Sequence, residues 1–276
     1  MDTTWLLQLG ALGALTGFTS ALLGMSGGFV LVPALYWLLP RDGVAASMVP
    51  LVAAASSLAA MVPVSASGAL AQRRLQRVET GWLKRLAPGL VAGSAGGALL
   101  ASQASAPALS LVFLAYALWF ATRLRVAPAT APALPPAWPT NHGAWGVGGL
   151  IGTVSAVVGG GGTTMTVAYL MQRDVAVHRA IGTGPAVGLL LGVSASAAFA
   201  ALAAVGAVAQ LPAAAGLHLL GLVHWPTVLV AGGCGTLAAP YGARLAARLP
   251  ARQLRSGFAI VTVGIALAML ARTLVP

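Results

Sequence analysis

A chain of 276 residues with 58% hydrophobic side chains, only 7% charged ones and a mean hydropathy of +0.90 cannot coat itself with a water-compatible surface, because a soluble domain carries about a quarter charged residues. Its formal net charge is +11, but the 15 Lys and Arg residues sit singly or in small groups between apolar runs. That pattern excludes a nucleic-acid footprint, which needs one basic face, and reads as loop anchors beside a lipid bilayer. The single cysteine, Cys234, excludes an internal disulfide and a cysteine metal cluster.

In chain order the segments form two sets of four. Leu6 to Leu39 is apolar but broken by glycines, and Val44 to Ala71, Leu86 to Ser102 and Pro107 to Thr122 follow as continuous apolar runs. A helix crosses a hydrocarbon core in about 20 apolar residues, whereas a membrane barrel needs short alternating segments. These runs are therefore helical spans. No Lys or Arg precedes the first of them and Asp2 stands there instead, so a removable signal peptide is not expected. Residues 127–142 hold Pro128, Pro132, Pro135, Pro136 and Pro139 and read as an extended aqueous linker. Beyond it, Trp145 to Met171 is again broken by glycines, and Ala180 to Gly206, Pro226 to Ala243 and Ser256 to Ala271 complete the set. The expected fold class is an all-α integral membrane protein with a first repeat over residues 1–126 and a second over 143–276.

The repeat is direct. Placing Gly24 on Gly159, a shift of 135 residues, also matches Gly13, Gly17, Ser20, Gly27 and Pro50 with Gly148, Gly152, Ser155, Gly162 and Pro185. If all eight segments crossed fully, the basic residues would divide almost equally between the two faces, against the positive-inside rule. If each glycine-broken segment instead enters and leaves on one side, only Arg41 and Arg272 fall outside the cytoplasmic set. Three full spans per half then invert the second repeat, an architecture typical of secondary transporters. Two parallel four-span halves with a weak charge bias are the alternative.

Gly24-Met25-Ser26-Gly27-Gly28 and Gly159-Gly160-Gly161-Gly162-Thr163-Thr164 carry the chemistry. Glycine costs about 1 kcal/mol relative to alanine inside a helix, so each run marks an unwound point. The half-helix that follows aims unpaired N–H groups and a positive dipole end at the protein centre, which is an anion site. Ser26, Thr163 and Thr164 add hydroxyl donors. Gly10, Gly13, Gly17, Gly93, Gly96 and Gly97 read as close-packing residues instead. Ser47 and the pair Gly182 and Thr183, each just ahead of a proline, are expected to face the same cavity. Arg179 sits at its mouth as an anion attractor or interface anchor.

None of Asp2, Asp42, Glu79 and Asp174 lies deep in an expected span, which argues against a buried carboxylate relay. His142, His218 and His224 fall in expected loops without a neighbour at metal-ligand spacing, so neither a metal nor a cofactor is expected.

The stretches GFTSALLGMSGGFVLVPALYWL and GTVSAVVGGGGTTMTVAYL resemble the two glycine-rich signatures of the TauE/SafE sulfite exporter family, and AIGTGPAVG resembles its Ala-x-Gly-Thr-Ser element. The resemblance spans both halves and implies export of sulfite, thiosulfate or organosulfonates across the bacterial inner membrane. The chain departs from the family pattern at Ser26, where a third glycine is usual, at Ala168, opposite Pro33, and at Ala46-Ser47-Met48. A membrane-embedded enzyme is the competing class, but the spans hold no nucleophile with a base and no carboxylate pair. A scaffold leaves the glycine runs unexplained, and a small carboxylate is the competing substrate. A homo-oligomer is compatible with all of these readings.

Overall fold

The computed structural model describes residues 3–23, 26–124, 141–160, 162–206 and 218–246, with Arg248 and Gly264. Gly24, Met25 and Gly161 of the glycine runs lie outside the described residues. So do linker residues 127–140 and, apart from Gly264, the eighth segment.

The helices follow the apolar runs and stop where the backbone chemistry stops them. Helix α1 (Thr3–Leu23) ends at the first glycine run, and α2 (Gly28–Leu38) restarts beyond it. A short 3-10 turn, Pro40–Asp42, closes α2, and Gly43 at φ 86° releases the chain. Helix α3 (Val49–Arg74) carries Pro50 in its first turn, where no amide is missed. It ends at Gln76, which adopts the left-handed φ of 55°. Helices α4 (Thr80–Gln103) and α5 (Ala106–Leu124) complete the first half. The second half repeats the order with α6 (Asn141–Val158), α7 (Gly162–Gln172) and α8 (Val177–Ala204). The linker expected to reach 142 therefore gives way to helix at Asn141. Among the described residues the strands form a small antiparallel hairpin, β1 (Leu219–Leu220) and β2 (Val223–His224), turned at Gly221. A π-helical turn, Thr227–Ala231, then leads into α9 (Gly232–Ala246).

Three of these helices, α1, α3 and α8, are long and apolar enough to cross a membrane. Large apolar side chains also cover the outside: Leu237 is 73% exposed and Leu111 65%. Such a surface is stable against lipid tails and costly against water.

Packing crosses between the halves. Helix α1 lies along α9, and α4 along α6. In both pairs glycines let the backbones touch. A methyl group at Gly97 would lie 2.8 Å from Thr153 Cα, and one at Gly235 would lie 2.8 Å from the Gly13 carbonyl oxygen. Gly93 and Gly17 are tighter still, facing Gly149 and Gly235. Gly96 departs from the packing expectation, because nothing described lies within reach of it. Helices α3 and α8 form the central pair and run antiparallel, with Gly68 opposite Pro185 and Gly192 opposite Leu58 and Val62. The Trp5 ring N–H at the start of α1 donates to the Leu38 carbonyl at the end of α2, at 3.4 Å. In the second half Tyr169 of α7 meets Trp82, close to where α6 begins alongside Leu86 and Gly89.

Candidate functional site

The two helix breaks, far apart in sequence, meet in the interior. Gly159 and Gly160 adopt φ values of 79° and 141°, which side-chain-bearing residues rarely hold. They are also pressed against the other half: a methyl on Gly160 would sit 2.8 Å from both Gly28 Cα and Ser26 Oγ. The Ser26 amide donates to Thr164 Oγ1 at 3.0 Å, and Thr164 also bonds the Tyr116 side chain of α5. The Ser26 and Gly27 carbonyls accept the first bonds of α2 from Phe29, Val30 and Leu31. The starts of α2 and α7 are thus brought together, with the Phe29, Val30 and Leu31 amides of α2 already engaged by the carbonyls of the break.

Hydroxyls surround this meeting point. Ser26, Ser57, Thr16, Ser65, Ser155, Thr163 and Thr164 are all buried. Ser57 Oγ lies 2.8 Å from where a Gly28 methyl would be, and the Thr16 methyl lies 2.5 Å from where a Gly27 methyl would be. Gly188 of α8 leaves the space between Ser65 Oγ and Thr163 Oγ1, which a methyl there would approach to 2.8 and 3.0 Å. Ser57 Oγ and Thr16 Oγ1 have no hydrogen-bond partner among the described residues, a state they share with Gln72 Oε1, Tyr169 Oη and Ser196 Oγ; of these, Ser57 Oγ is the one placed at the meeting point. A buried donor without a partner is rare and points to a group that completes it. Among the described residues the buried polar side chains are hydroxyls, Gln72 and His224, with no Lys, Arg, Asp or Glu. The site is therefore made of neutral donors. Ser57 and Thr16 were not among the sequence candidates, and their one signal is the placement of hydroxyls within apolar runs.

The family model described as Sulfite exporter TauE/SafE matches residues 9–269. The chain belongs to the sulfite exporter TauE/SafE family. A "Probable membrane transporter protein" of Haemophilus influenzae is 27% identical over 270 residues, covering 96% of this chain and 98% of the relative. No solved structure matches. Family and relative together make this a multi-pass membrane transporter.

In this TauE/SafE chain the Gly-Thr-Gly-Pro element has a different task from the one expected. Thr183 Oγ1 donates to the Arg179 carbonyl and accepts the Glu79 amide, both at 2.8 Å. Gly182 lies under Arg77, whose carbonyl a methyl would meet at 2.5 Å. Arg179 pairs with Glu79, Nε to Oε1 at 2.8 Å. These residues hold the α3–α4 loop on the start of α8. The expectation that Ser47 and Thr183 line the glycine cavity is corrected: Ser47 is exposed on the turn ahead of α3. The reason is helical rise, about 1.5 Å per residue. The positions on α3 and α8 that reach the glycines are Ser57 and Gly188, roughly 15 and 8 Å further along.

The histidines need a second correction. Asp42 Oδ2 lies 2.8 Å from His218 Nδ1 and 2.8 Å from His224 Nε2, so both do have a partner at ligand distance. The partner comes from the other half of the chain, which spacing along the sequence does not reveal. Burial, more than any neighbour, holds His224 below the ordinary imidazole range, and the contacts with Asp42 oppose that shift.

Proposed function

We propose that this family member is a secondary transporter that carries a small sulfur-containing oxyanion, of the class of sulfite, thiosulfate or an organosulfonate, across the bacterial inner membrane. The observation that carries the reading is the unpartnered buried hydroxyl of Ser57, beside the point where the starts of α2 and α7 meet. Neutral hydroxyls and helix N-termini stabilise an anion without a fixed counter-charge. Neutral donors compensate poorly for stripping water from a dianion, so the site favours bisulfite or a monovalent sulfonate over sulfate.

An inverted repeat with two re-entrant segments fits the packing. The equivalent helices α3 and α8 run antiparallel, α1 and α2 fold back on each other, and α6 and α7 do the same. Each re-entrant tip then enters from its own face and meets the other at the midplane, as alternating access requires. The clustering of Arg73, Arg74, Arg77 and Arg179 at one end supports a cytoplasmic assignment for that face.

The test is thermal-shift screening of detergent-purified protein against sulfite, thiosulfate, methanesulfonate, sulfate and small carboxylates, since a selective ligand raises stability by mass action. Proteoliposome flux of the best binder follows. A sulfur monoanion should give the largest shift. A shift with carboxylates alone would overturn the substrate class, and equal shifts with sulfate would place a cation in the site.

A further inference from the structure

We propose that Asp42, His218 and His224 form a binding site for a divalent transition-metal ion that joins the two halves at the face opposite the arginine-rich loops. One ligand atom from each residue lies within 4.8 Å of the others. Two imidazole nitrogens and one carboxylate form a common three-ligand set that leaves a position open. Tetrahedral ligands about 2.0–2.2 Å from a zinc ion stand roughly 3.4 Å apart, so the two 2.8 Å contacts need open by only about half an ångström.

The surroundings resemble the support of a metal site. His224 Nδ1 lies 2.9 Å from Thr227 Oγ1, a bond that can turn Nε2 toward the ion as a ligand. The His224 amide donates to Ser56 Oγ at 2.8 Å, and the Trp225 amide donates to the His218 carbonyl at 3.1 Å, which fixes the backbone carrying both imidazoles. Trp5 packs edge-on against His224, and Trp225 against His218. His224 is fully buried, whereas the His218 side chain is 23% exposed and gives an ion a way in and room for a fourth ligand. Asp42 follows α2 of the first half and both histidines belong to the hairpin region of the second, so an ion here would link the turn after α2 to the hairpin.

Softer and borderline ions prefer imidazole, so the probe is zinc on tag-free protein in detergent. Equilibrium dialysis with elemental analysis should give one zinc per chain, and zinc should raise the melting temperature. His218→Ala and Asp42→Asn should each weaken zinc binding by at least about 100-fold, and Thr227→Val by about tenfold. Asp42→Asn keeps the shape and hydrogen-bonding capacity of the turn, so it carries the test if His218→Ala does not fold. Absence of retained zinc in the wild type, or equal retention in Asp42→Asn, overturns the proposal.

Discussion

Glycine does two different jobs in this protein, and the contrast separates what holds the bundle together from what shapes the helix breaks. Along α1–α9 and α4–α6 the glycines sit in ordinary helix and remove side chains so that backbones touch. In lipid, where no hydrophobic force draws apolar helices together, such close packing is a main source of association. At Gly159 and Gly160 the glycines instead supply positive φ and bring Gly28 close to Gly160. Side chains are excluded from both regions, at the first for packing and at the second for backbone shape and access.

The contrast is sharpest when both kinds of glycine are replaced. Gly93→Val drives a side chain into the Gly149 carbonyl and should cost about 3 kcal/mol of stability, read as a lost monodisperse peak or a lower melting temperature in detergent. Gly160→Ala meets strained φ and close backbone and should cost about 2 kcal/mol, with loss of the anion-induced thermal shift. Ser57→Ala separates binding from packing, because its hydroxyl has no partner to lose among the described residues. Unliganded stability should hold or rise slightly, while anion affinity falls about tenfold or more, the worth of a hydrogen bond to a charged group. Unchanged affinity in that variant would remove Ser57 from the site. The smallest effect is expected at Gly96, which faces nothing described. Gly96→Ala should shift stability by under about 1 kcal/mol, upward, through helix propensity.

The helices and the two breaks are legible in the sequence because both are local: an apolar run long enough to span, and glycines that interrupt it. That Gly13 and Gly17 pack while Gly27 and Gly28 mark a break follows from density alone. What stays hidden is depth and pairing. Thr183 and Ser47 share a motif with the site, but the motif says nothing of how far along α3 and α8 the site lies. Asp42 meets His218 and His224 across sequence separations of 176 and 182 residues, and only the exchange of partners between halves brings them together. Gly162 likewise looks in the sequence like a break residue alone, yet a side chain there would collide with Leu191 and Ser155.

The crossed pairing of α1 with α9 also bears on biogenesis. Helix α1 leaves the ribosome about 200 residues ahead of α9, roughly 10–40 s at ordinary elongation rates. Throughout that interval its glycine face has no permanent neighbour, while α4 and α6 meet much sooner. A nascent chain stalled before Gly232 therefore leaves the glycine face of α1 uncovered, and that face is closed only once α9 has been made.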